Sequence, residues 1–162
     1  DETGSGALVF GTSPTLTSPT ITSPTGLVKA DVGLDSVDNT SDATKNAAVA
    51  TLTNKRITPR VTSVVSSGTP TPNGDTTDQY NLTALAGNAT FGAPSGTPTD
   101  GQKLIIRIKD NGSARTLDWN AAYRAIGTTL PTTTVTGKTL YVGFVYNSAD
   151  GMWDCIATAQ EE

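Results

Sequence analysis

The chain has 162 residues and a net charge of −4 from 11 Lys and Arg against 15 Asp and Glu, and 67 of its positions are Thr, Ser, Gly or Pro. The absence of histidine excludes Ser-His-Asp, Cys-His and His-metal chemistry, because each needs an imidazole that titrates near neutral pH. A single cysteine, Cys155, excludes an internal disulfide and a structural zinc cluster, and the acidic balance argues against a nucleic-acid-binding face.

The first segment repeats a five-residue unit: Thr12-Ser13-Pro14-Thr15-Leu16, Thr17-Ser18-Pro19-Thr20-Ile21, Thr22-Ser23-Pro24-Thr25-Gly26. Five residues match no helical period, and one proline per unit removes an amide donor, so the segment is expected to run extended. Its apolar side chains, Val9, Phe10, Leu16 and Ile21 among them, are too few to order it, and so it needs neighbours. A Thr/Pro linker is the plainer reading of the same composition. Residues 1–31 are therefore taken as a shaft, 32–56 as a connector and 57–162 as a C-terminal β-domain.

In the connector, Ser41 followed by Asp42 is a helix start, with a side-chain oxygen to cap free amides and an acid at the positive end of the helix dipole. The helix is predicted over about Asp42 to Asn54, with Ala48, Val49 and Leu52 as a stripe too narrow to hold it alone. From Ile57 the pattern turns to β. Leu104, Ile106 and Ile108 alternate with Ile105, Arg107 and Lys109, and Leu140, Val142, Phe144 and Tyr146 alternate likewise. Asp110-Asn111-Gly112 and Asp150-Gly151 are tight-turn signals after these two strands. Further strands over Arg60–Ser66, Gln79–Leu85, Ala89–Gly92, Arg115–Trp119 and Met152–Thr158 complete the set. The expected fold is mainly β: an extended shaft and a short helix leading to an antiparallel, jelly-roll-like β-sandwich. No apolar run reaches the roughly 18 residues of a membrane span; Leu104-Ile105-Ile106 is broken by Arg107. No signal peptide is visible, and a chain that starts at Asp1 is expected to be processed or a fragment of a longer one.

Two segments resemble a known family. Gly6-Ala7-Leu8-Val9-Phe10-Gly11-Thr12-Ser13-Pro14-Thr15-Leu16 resembles the G-x-L-V-F-A-T-S-P-T-L shaft segment of bacteriophage tail-fibre and virion-fibre proteins. Val32-Gly33-Leu34-Asp35-Ser36-Val37-Asp38-Asn39-Thr40-Ser41-Asp42 resembles a second phage-fibre signature, L-G-L-x-N-V-D-N-T-S-D, departing from it at Ser36 and in the Ala43-Thr44-Lys45-Asn46 continuation. Gly101 to Gln160, with Lys109-Asp110-Asn111-Gly112 and Tyr141 to Asn147, looks like the C-terminal β-domain of phage structural proteins. The resemblance implies a homotrimeric fibre on the virion surface, built with other virion proteins and ending in a tip that meets a host-surface glycan or protein. It places Val9, Leu16, Ile21, Val49 and Leu52 at the trimer interface and implies no enzyme activity, cofactor, nucleic acid or membrane insertion.

Chemistry-bearing clusters have plainer readings. Asp31, Asp35, Asp38 and Asp42 raise the question of calcium, but the EF-hand spacing is missing and Asp38 and Asp42 serve a turn and a cap. An acid pair of the glycosidase kind would have to come from Asp110, Asp118, Asp150 and Asp154, whose spacing specifies none. Trp119, Tyr123, Tyr80 and Trp153 could stack on sugar rings, although core packing is the heavier reading for each. Cys155, alternating with Trp153 and Ala157, reads as a buried small hydrophobe. Four N-x-Ser/Thr sequons, at Asn39, Asn81, Asn88 and Asn111, follow from the abundance of threonine. A bacterial cell-surface adhesin or pilin-like module with Lys-Asn cross-links is the alternative function; it expects a wall-anchor tail where this chain ends Ala159-Gln160-Glu161-Glu162.

Overall fold

Why the second half of the chain forms strands is visible in the burial of β4 (Lys103–Asp110) and β7 (Thr139–Asn147), where Leu104, Ile106 and Ile108, and Leu140, Val142 and Phe144, are removed from water at every second position. The computed structural model describes residues 56–162 together with Gly33, Ser41, Ala43, Thr44, Val49, Thr53 and Asn54. Contacts divide the chain into Asp1–Thr53 and Asn54–Glu162, and the eight strands found among the described residues lie in the second unit. The other strands are β1 (Val61–Val64), β2 (Gln79–Leu85), β3 (Ala89–Phe91), β5 (Leu117–Trp119), β6 (Tyr123–Ala125) and β8 (Met152–Gln160). The proline repeat and the interface positions Val9, Leu16, Ile21 and Leu52 lie outside the described residues.

The expected helix is only partly described. Ser41 Oγ accepts a hydrogen bond from the Thr44 amide at 3.2 Å, the capping contact its sequence position called for, and Ala43 and Thr44 are helical. Val49 and Thr53 are not helical and Asn54 sits at φ 56°, so a helix running unbroken to Asn54 is ruled out.

The antiparallel sandwich is also corrected. A six-stranded mixed sheet has the order β1-β2-β4-β7-β8-β6, and β3 pairs with β5 in a separate two-stranded sheet. Among the eight strands β4 with β7 and β7 with β8 pair antiparallel, and β1 with β2, β2 with β4, β3 with β5 and β6 with β8 are parallel; outside them Thr116 and Thr133 form an antiparallel bridge. The reason lies in the connections. Residues 65–78 and 86–102 are long enough for the crossovers that parallel neighbours need, about a dozen residues each. These crossovers pass through a second layer. Thr90 and Gly92 donate to the carbonyls of Gly68 and Pro70, and Ser95 donates to Pro72, so segment 68–73 runs parallel to the β3 segment just as β3 runs parallel to β5. The chain thus winds from the large sheet to the small layer and back in successive turns.

Two prolines fix the edge of that layer. Pro70 and Pro72 are buried, offer carbonyls but no amide, and so end the pairing at segment 68–73. The turns approach closely at Gly92, where a Cβ would lie 2.8 Å from Thr71 Oγ1. The predicted Asp110-Asn111-Gly112 turn forms, with Gly112 at φ 97°, yet it leads to β5 in the other layer rather than to a hairpin; Asp150-Gly151 does close the β7–β8 hairpin.

The core fills the space between the layers. Leu82, Leu104, Ile106, Ile108, Leu140, Val142, Phe144 and Trp153 come from the large sheet and Ala89, Phe91 and Leu117 from the small one. Each such fully buried Leu, Ile or Phe contributes roughly 1.5–3 kcal/mol relative to exposure. Phe91 stacks on Trp119 with centroids 4.2 Å apart, and Tyr123 and Phe144 close around that pair.

Candidate functional site

The small layer covers one face of the six-stranded sheet and leaves the other open. Strand pairing orders that open face into rows. One row runs Val61, Gln79, Ile105, Gly143, Ala157 from β1 across to β8, and the next runs Ser63, Asn81, Arg107, Tyr141, Ala159. Lys109 stands beside Thr139 at one end of the face and Lys103 beside Val145 at the other.

The first row carries exposed aliphatic side chains on either side of the half-buried Gln79. Val61 is 51% and Ile105 40% accessible, and Ile57, just upstream of β1, is 86% accessible. Ile57, Pro59 and Ile105 line a depression of about 580 Å³ with Gln79, Gly101, Lys103 and Asp78. The second row is polar. Asn81 is buried, donating to Ser63 Oγ at 3.0 Å and accepting from Gln79 Nε2 at 2.9 Å, which removes its sequon amide from reach. Beside it, Arg107 and Tyr141 face each other across β4 and β7, with Tyr141 38% accessible.

Two grooves flank the Tyr141 ring. The one toward β2 measures about 260 Å³ and is lined by Thr83, Arg107, Lys109, Thr139 and Tyr141. The one toward the C-terminus measures about 530 Å³ and adds Ala159, Gln160 and Glu161. Glu161 accepts from the Thr139 amide at 2.8 Å, and that bond holds its carboxyl below the ordinary value, so it stays charged. Among the described residues Lys103, Arg107 and Lys109 make no ion pair, whereas Arg60 is held by Asp78 and Arg124 by Asp154 and Asp150. On the open face Lys103 and Arg107 therefore stand without a carboxylate partner among the described residues, while Lys109 shares a groove with Glu161 and helps to lower its carboxyl.

The aromatic candidates from the sequence lie elsewhere. Tyr80, Tyr123 and Trp153 are buried in the core, and Trp119 packs against it with Nε1 donating to the Pro131 carbonyl at 2.7 Å. Tyr123 Oη has no hydrogen-bond partner among the described residues, and burial pushes its ionisation upward. Cys155 is buried, as read, and its thiol is raised by desolvation.

The candidate acids are occupied too. Asp110 is buried at the end of β4 and accepts from Gly112 N (2.9 Å), Thr134 Oγ1 (2.8 Å) and Gly137 N (2.8 Å). Burial alone would raise its carboxyl; the bonds from Gly137, Thr134 and Gly112 outweigh that and hold it below the ordinary value. Asp154 and Asp150 grip Arg124 at 2.7 and 2.9 Å, and Asp118 is exposed on β5. The cluster Asp31, Asp35, Asp38 and Asp42 lies outside the described residues.

Sequence reasoning missed Tyr141. The alternation in β4 does put Ile105, Arg107 and Lys109 on one side, but pairing Arg107 with Tyr141 requires the β4–β7 register, a non-local fact. In comparisons with known proteins, no family model, no curated relative and no solved structure matches the chain.

Proposed function

We propose that this chain is a non-enzymatic structural fibre protein of a bacteriophage virion, three copies side by side, whose C-terminal β-domain forms a tip turned toward the host-cell surface. The observation that carries the reading is the set of exposed aliphatic side chains on the open face: Ile57, where the chain enters the domain, lines one depression with Ile105, and Val61 stands across Gln79 from Ile105. Isolated exposed aliphatic residues need no explanation, but Ile57, Pro59 and Ile105 gathered around one depression of about 580 Å³ mark a contact surface. Copies of the same chain are the natural cover, because an N-terminal shaft of Thr-Ser-Pro units also lacks enough apolar side chains to order alone. The phage-fibre resemblance of residues 6–16 and 32–42 supports the same assignment and supplies the virion context.

Sedimentation of the full chain at micromolar concentration tests the reading. The expected mass is three times the 16.6 kDa chain, falling toward a single chain in Ile105→Lys; a single-chain mass for the unaltered protein overturns it. Intact-mass measurement separates the bacterial adhesin alternative, whose Lys-Asn cross-link removes one ammonia per chain.

A further inference from the structure

We infer that the groove between Arg107 and Tyr141 binds an acidic saccharide, one sugar ring against the tyrosine and its carboxylate on the guanidinium. The inference deepens the proposed attachment role of the tip and rests on it for the source of the ligand.

Tyr141 and Arg107 are direct cross-strand partners, so the aromatic face and the cation are held side by side by main-chain hydrogen bonds rather than by loops. An aromatic ring with an exposed face matches the apolar C–H surface of a sugar, and a guanidinium fork matches a carboxylate in a two-point contact. Lys109 adds a second cation two residues along β4, about 7 Å away by strand geometry. The hydroxyls of Thr83 and Thr139 complete the lining.

Size and charge narrow the class. At about 260 Å³ the groove falls below the roughly 300–1,000 Å³ of enclosed ligand pockets, which fits one unit of a chain lying across an open surface. Densely charged polymers fit poorly: residues 54–162 balance 9 Lys and Arg against 9 Asp and Glu, and Glu161 holds a negative charge in the adjoining groove, which Lys109 also lines. Nucleic acid and anionic membranes call for a broad basic surface, which a charge-balanced domain with Glu161 beside the groove does not offer. A polysaccharide with well-spaced carboxylates can place one on Arg107 and keep neutral rings elsewhere.

The test titrates the full chain with a galacturonic acid tetrasaccharide, in parallel with the neutral galactose tetrasaccharide, single-stranded DNA and vesicles of phosphatidylserine, reading binding by calorimetry. The acidic tetrasaccharide should bind and weaken with salt, and Arg107→Gln and Tyr141→Ala should each weaken it about tenfold. Lys103→Gln, beyond the row of Ile105, should change it less than about twofold. Equal binding of the neutral sugar, stronger binding of DNA or vesicles, indifference to Arg107→Gln, or no saccharide binding at millimolar concentration overturns the inference. Sedimentation of the same samples keeps the two claims apart. A trimer that binds no acidic saccharide removes this inference alone, and a monomer that binds it removes the fibre reading alone.

Discussion

The two faces of the six-stranded sheet are made by the same strands and differ in almost everything else. On β4 the inward residues Leu104, Ile106 and Ile108 are fully buried, while Lys103, Ile105, Arg107 and Lys109 alternate with them on the open side. The inner face is closed by β3, β5 and the proline-edged segment 68–73; among the described residues no strand covers the outer one. A strand with period two can thus specify a core and a contact surface at once, and the test of each side chain is which face it occupies rather than how apolar it is.

The sharpest way to break that contrast is to truncate one residue on each face. Phe91→Ala removes the ring stacked on Trp119 and should cost about 3–5 kcal/mol in chemical denaturation, while Ile105→Ala on the open face should stay within about 0.5 kcal/mol. Equal losses would mean that the outer row is core. Asp110→Asn should cost about 2 kcal/mol, because a carboxylate that gathers three donors cannot be replaced by an amide without leaving one of them unpaired.

The Asp110 effect carries a pH signature. Its folded ionisation lies below the unfolded value, so its contribution is complete above about pH 4 and is lost as pH falls through the folded value. Denaturation midpoints measured from pH 7 down to pH 2 should therefore fall more steeply in the unaltered chain than in Asp110→Asn. Tyr123→Phe should be neutral or raise stability by up to about 1 kcal/mol, since the hydroxyl it deletes is buried without a partner; a clear loss would reveal a bond to that oxygen. Smallest of all, Leu16→Asp with Ile21→Asp should leave the unfolding transition of the β-domain in place, because the core draws on other residues. Loss of that transition would show that the two units depend on each other for folding.

The parts of this molecule that were legible in the sequence are the local ones. Alternation located β4, β7 and β8, Asp150-Gly151 marked their hairpin, and Ser41 marked a capping contact. The parallel winding was not legible, because the pairing of β2 with β4 depends on a crossover through β3 that no local pattern encodes. β6 was missed because three residues carry too little periodicity. The site failed for the same reason as the topology. Arg107 and Lys109 were read on one face, but their neighbour Tyr141 is distant in sequence, and the aromatic residues that stood out by type turned out to be core.

The central claim, that copies of this chain meet over Ile57 and Ile105 at the Lys103 end of the open face, can be tested at one position. Ile105 is replaced by a photo-activatable benzoyl-phenylalanine, and the full chain is illuminated at micromolar concentration and run on a denaturing gel. Covalent dimers and trimers are the expected products; a single-chain band alone would contradict the account.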